Sequence, residues 1–237
     1  MLSMTTEDAL STQINTARQL EACNKFVDAL RIYAKILAQS PRDVEAHLGV
    51  GRCALLLGQF DRAYEHFTAV LIQEHSRTEA LWGRANVLMQ MGREEIAIRE
   101  IQRVLELDSP QTSLHVDCAA LLNDFGYIHE ALDCLANFPE NLRDDDYRIE
   151  WCFSTIATQS PSDLVDATLQ DCLSRYPEDA LLTLMLAARK IQSEDDETGR
   201  ALLEKALQKE PELVYRANVM PCFQNILMEI CRKIGID

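Results

Sequence analysis

The stretch Gly49-Val-Gly51-Arg-Cys-Ala54 carries the Gly-x-Gly-x-x-Gly/Ala spacing of a phosphate-cradling turn. That chemistry needs the glycines between a strand and a helix, where backbone N–H groups approach a pyrophosphate. The flanking residues here read as the interior of one helix, so no bound dinucleotide is expected. Thiols and imidazoles are equally uncommitted. Cys23, Cys53, Cys118, Cys134, Cys152, Cys172, Cys222 and Cys231 contain no Cys-x-x-Cys pair. His47, His66, His75, His115 and His129 form neither a His-Glu-x-x-His motif nor a mixed Cys/His zinc spacing. Most of the cysteines fall in apolar helical patterns, where a thiol acts as a small hydrophobe. Buried free thiols are therefore expected, not disulfides. The acidic runs Arg143–Asp146 and Glu194–Glu197 lack calcium-loop spacing and read as solvated turns. These absences predict a chain that is not an enzyme and holds no catalytic residues, no metal and no cofactor.

What organises the chain is a repeat. Ala29, Ala63, Ala97 and Ala131 recur every 34 residues. Twelve positions before each stand Ala17, Gly51, Ala85 and Ala119, all small; four positions after stand Tyr33, Phe67, Ile101 and Leu135, all large and apolar. Between the small pair lie Asn24, Gly58, Gly92 and Gly126, which tolerate a left-handed turn. The pattern describes two amphipathic helices closed into a hairpin. The small pair lets the backbones approach, and the large residue fills the neighbouring gap. No single hairpin buries its apolar face, so neighbours must stack.

These columns resemble the tetratricopeptide repeat. Its 34-residue pattern has small residues at positions 8 and 20, an aromatic at 24, an apolar residue at 27 and proline at 32. With repeats starting at 10, 44, 78 and 112, Ile36, Val70, Val104 and Phe138 fill position 27, and Pro41 fills position 32 of the first repeat. His75, Ser109 and Arg143 depart from the proline column. The frame continues to repeats at 146 and 180, where Pro177 and Pro211 return, although Phe153 is large where a small residue is expected. The resemblance implies an all-α fold: a right-handed α-solenoid of antiparallel helix pairs, with about six repeats. Its implied domains are a flexible segment over 1–9, the superhelix over 10–213 and a C-terminal capping helix over 214–237. Pro221 should kink or restart that helix. Phe223, Ile226, Leu227, Ile230 and Ile234 give it one apolar stripe, suited to capping the last repeat or to self-association.

In the resembled family the first helix of each hairpin lines a concave groove, with positions 2, 5, 9, 12 and 13 facing inward. Position 5 then supplies an apolar rail of Ile14, Leu48, Trp82 and Val116; position 9 supplies Arg18, Arg52 and Asn86. Arginine suits carboxylate recognition, and tryptophan is the commonest kind of binding hot spot. Two readings stand: these residues hold a peptide or protein partner, or Trp82 packs against neighbouring helices while Arg18 and Arg52 pair with Glu21 or Glu45. The family's two-carboxylate clamp for chaperone tails is not reproduced, since only Asn86 matches it. The second half of the groove reads as acidic and aromatic, with Asp117, Asn123, Asp124 and Glu150. Tyr147 and Trp151 stand one turn apart as a secondary site for a cationic segment.

Composition narrows the partners. With 23 basic and 38 acidic residues the net charge is −15, a surface that repels phosphate backbones and disfavours nucleic acid. No apolar run approaches the ~20 residues of a membrane span, and the N-terminus lacks a basic start and apolar stretch. The expected protein is a cytoplasmic scaffold or adaptor. Chaperone-like client binding and self-assembly through the end helices, as a homo-oligomer, are the alternatives.

Overall fold

A computed structural model of the chain describes residues 6–107, 114–136, 138, 143–158 and 163–236, with side chains from residue 10 onward. Among the described residues there are fourteen α-helices and no strand. The helices fall into two compact units, Met1–Ser109 and Pro110–Asp237. The first holds α1 (Thr6–Ala22), α2 (Phe26–Gln39), α3 (Val44–Leu56), α4 (Phe60–Gln73), α5 (Thr78–Gln90) and α6 (Glu94–Leu107). The second holds α7 (Leu114–Asp124), α8 (Ile128–Ala136), α9 (Asp145–Ala157), α10 (Asp163–Arg175), α11 (Ala180–Gln192) and α12 (Asp196–Lys209), then α13 (Val214–Asn218) and α14 (Leu227–Ile234).

The hairpins turn where the sequence places left-handed residues. Asn24, Gly58, Gly92 and Gly126 have φ of 56°, 69°, 69° and 83°. At each, the next N–H reaches back five residues to close the helix, as from Gln59 to the Ala54 carbonyl and from Arg93 to the Leu88 carbonyl, both 2.8 Å. Starts are capped by aspartate. The Asp43, Asp144 and Asp179 carboxylates accept from the N–H groups of Ala46, Tyr147 and Leu182 at 2.7, 3.0 and 2.8 Å. The sequence Ser160-Pro161-Ser162, in which a serine cap and a proline start to the next helix are expected, lies outside the described residues.

Each repeat column is core. Ala17, Ala85 and Ala119, Ala29 through Ala131, and the large residues Tyr33, Phe67, Ile101 and Leu135 are all buried. Gly51 has the same role from the first helix. A Cβ there would sit 2.7 Å from the Phe67 ring, and one on Gly83 would sit 2.4 Å from the same ring. A Cβ on Gly49 would likewise sit 2.2 Å from the Tyr33 ring. The Gly-x-Gly spacing thus makes room for aromatic rings inside α3, with no strand before it. Phe153 is fully buried in the second unit, so the large residue at that small position also packs inside.

The C-terminal segment is not one helix. A 3-10 turn at Pro211–Leu213 leads into α13, a second turn at Pro221–Phe223 breaks the chain at the proline, and α14 follows. Phe223, Ile226, Leu227 and Ile230 are buried, and α14 packs on α12, so the stripe is spent within the chain.

Five cysteines are buried, but Cys23 is exposed in the first turn, and Cys222 and Cys231 are partly so; none is in a disulfide. The expectation of buried thiols is corrected for these three, which lie at a turn or near the chain end. Burial pushes the Cys53 and Cys152 thiols up to about 12, which keeps them protonated and unreactive.

One half-buried pair carries a pH signature. His47 Nδ1 and His66 Nδ1 lie 2.9 Å apart, so one ring donates and the other accepts. Burial first, then His47 and Arg62, lowers His66 to about 4. The folded value lies below the unfolded one, about 6.5, so the fold binds fewer protons than the unfolded chain. Stability is full above about pH 6.5 and falls as pH drops toward 4. Urea midpoints at pH 7 and 4.5 should differ in this sense, and by less in His66→Asn; an equal loss in the variant contradicts the assignment.

Candidate functional site

In the first unit, successive first helices lie side by side, α1 against α3 and α3 against α5. Their shared face carries the residues read from positions 5 and 9. Ile14 and Trp82 are half-buried, whereas Leu48 is fully buried. The apolar rail is therefore not a continuous exposed strip. Leu48 has a first helix on either side, so it becomes core and offers a partner nothing. In the second unit, Val116 is buried too.

The arginines are tied together. Arg52 donates from Nε to Glu21 at 3.0 Å and from Nη1 to Glu79 at 2.6 Å. Arg18 pairs with Glu45 at 2.5 Å, and Glu45 also receives Arg77 at 2.8 Å. The network joins α1, α3 and α5. It is the local carboxylate pairing weighed in the sequence, and it makes Arg52 a tie between repeats. The Glu21 carboxylate also accepts the Tyr33 hydroxyl. That bond and burial raise the tyrosine's pKa, burial being the larger cause.

Beside this network a cavity of about 560 Å³ opens between α3 and α5. Arg52, Leu55, Leu56, Trp82, Asn86 and Gln90 line it. Leu56 is 63% exposed, a large apolar side chain at its rim. The Trp82 Nε1 is enclosed and meets no protein acceptor, so the ring and not its polar handle faces the cavity. The geometry offers an apolar seat with an amide beside it, walled by a fixed guanidinium. Leu55, Leu56 and Gln90 stand at positions 12 and 13 of their repeats, and the cavity brings them to Trp82.

The second unit's acidic and aromatic patch divides in two. Tyr147 is buried, stacks on Phe138 at 5.3 Å and lies under the Arg143 guanidinium at 5.1 Å. Trp151 is half-buried and borders a cavity of about 660 Å³ with Tyr147, Arg143, Arg148 and residues of α8 and α10. That pair thus faces the second helices. Asp124 and Glu150 instead face Arg216 from the C-terminal segment. Arg216 was missed in the sequence, where an arginine between Tyr215 and Ala217 signals only surface.

Among the described residues no three histidine, cysteine, aspartate or glutamate side chains converge as for a metal ion. No helix among them is long and apolar enough to cross a membrane.

Stacked helix pairs with left-handed turns every 34 residues define a repeat protein of the all-α solenoid class. The tetratricopeptide repeat family model matches residues 22–82. The rat DnaJ homolog subfamily C member 3 is 33% identical over 91 residues, which are 38% of this chain and 18% of that protein. The chain thus spans under a fifth of that relative's length. The Caenorhabditis elegans coatomer subunit epsilon is 25% identical over 209 residues, covering 77% of this chain and 69% of that one. A crystal structure of a tetratricopeptide repeat protein from Parabacteroides merdae superposes with a TM-score of 0.64 at 15% identity, over 95% of this chain and 84% of that one. Over residues 22–82 the chain matches the tetratricopeptide repeat family model, and its fold is that of tetratricopeptide repeat proteins, a fold that supports protein–protein interaction.

Proposed function

We propose that this chain is a non-catalytic scaffold that holds a segment of a partner protein against the first unit, in the cavity between α3 and α5. The observation that carries this reading is the pairing of an exposed Leu56 with the Trp82 ring around a pre-formed opening. A partner supplies an apolar anchor for that seat and a backbone amide for Asn86 or Gln90. Arg18 and Arg52 contribute mainly by holding the first helices in register, since their charges are already answered by Glu45, Glu21 and Glu79. The similarity along most of the chain to a coatomer subunit supports a place among partner proteins.

The test is a crosslinking pull-down from native extract with wild type and with Trp82→Ala/Leu56→Ser. Arg52 is left intact so that the repeats stay tied. Partners captured by wild type should be lost in the variant, an affinity drop of at least about 30-fold given that a hot-spot tryptophan contributes about 2 kcal/mol or more. Unchanged capture would place the contact elsewhere.

A further inference from the structure

The C-terminal segment takes a course that end-capping does not require. From α12 it runs across the first helices of the second unit. The 3-10 turn at Pro221 packs on α11, while α13 reaches α7. Val219 arrives at the α7–α8 turn, where its Cγ1 stands 3.0 Å from the place of a Cβ on Gly126. Apolar cover for the last repeat comes from α14 on α12.

At the far point of this course sits Arg216, 9% exposed. Its Nη1 donates to both Glu150 oxygens at 3.0 and 3.1 Å, and its Nε donates to Asp124 at 2.5 Å. The guanidinium lies 4.9 Å over the Phe153 ring. The seat is built to receive it. Asn123, fully buried, donates from Nδ2 to Glu150 at 2.8 Å, and the Ser154 hydroxyl donates to Asn123 Oδ1 at 2.9 Å. These bonds fix the Glu150 carboxylate before any cation arrives. Positions 120, 123, 124, 150 and 154 are the inward columns of their repeats, where a groove ligand would lie. A buried arginine is a costly way to cap a repeat, because desolvation opposes it and an apolar residue would serve.

We infer that the inner face of α7 and α9 is a receptor for an arginine-bearing segment. The chain's own residues 214–219 occupy it in cis, and a partner segment presenting one arginine takes the seat when they leave. Two carboxylates against one guanidinium leave the seat acidic even when filled, which draws a basic segment toward it. The tether supplies an effective concentration of about millimolar, so a free segment competes poorly until the cis contact weakens. This inference concerns the second unit and stands apart from the Trp82 cavity.

The experiment uses the full chain and a fluorescent peptide with the sequence of residues 211–226, under reducing conditions. Arg216→Glu places a third carboxylate in the seat and should release the segment. That variant is expected to bind the peptide at least about 10-fold more tightly than wild type does. The same peptide carrying Arg216→Ala should not bind it. Equal binding by the two chains, or no binding to a folded variant, overturns the inference. Hydrogen exchange on wild type keeps the question open to refutation if the variant misfolds. Amides 214–219 should exchange at least about 100-fold faster than those of α11, by local opening. Protection equal to that of α11 would mean the segment leaves only on global unfolding, and would overturn it equally.

Discussion

Gly83→Ala should destabilise the first unit by about 2–3 kcal/mol, although the same change in an exposed helix stabilises by about 1 kcal/mol. The sign is decided by Phe67. Its ring is buried between two glycines on neighbouring first helices, with Gly51 on one side and Gly83 on the other. A methyl group on Gly83 would stand 2.4 Å from ring carbon, and the ring already lies 2.7 Å from where a Cβ on Gly51 would be, so it has little room to retreat that way. The helix gain of an alanine is therefore smaller than the cost of overpacking a closed slot. Phe67→Leu should relieve much of the damage, giving a coupling of about 1–2 kcal/mol in a double-mutant cycle of urea midpoints. Additive losses, or a stabilised Gly83→Ala, would show that the ring has room.

Arg52→Ala should lower stability by about 2 kcal/mol. Removing one partner of a buried ion pair costs about 3–5 kcal/mol when the remaining charge is fully enclosed. Here the Arg52 side chain is 27% exposed and Glu79 39%, so water answers part of the loss. Glu21 is the more confined partner, and it also accepts the Tyr33 hydroxyl. Its excess charge is left against a buried phenol. Arg52→Met, which keeps the apolar stem, should cost less than Arg52→Ala if packing contributes and the same if charge alone matters. A variant within about 0.5 kcal/mol of wild type would reduce the network to a surface decoration.

The helical hairpins were legible because each repeat column reports a local demand. A left-handed turn selects Gly or Asn, a close helix crossing selects Ala or Gly, and the gap beside it selects a ring. The caps at Asp43 and Asp179 obey a local demand too, although the columns did not single them out. Exposure along the expected groove was not legible from the columns. Position 5 was expected to face inward in every repeat; Leu48, with a helix on each side, is enclosed, while Trp82 reaches a cavity. Tyr147 and Trp151 share a helical face, as their spacing requires, but α8 and α10 occupy the space beside it. Arg216 escaped for a different reason. Its partner Asp124 is 92 residues away, and no periodicity relates a residue after the last repeat to the groove of an earlier one.

The central claim, that a partner seats beside Trp82, is tested most directly by a photo-crosslinking amino acid placed at single sites in the full chain. Position 56 borders the cavity, whereas positions 72 and 228 carry similarly exposed apolar residues outside it. Capture of one partner from position 56, with none from 72 or 228, is the predicted result. Capture from 72 or 228 with none from 56 would contradict the account.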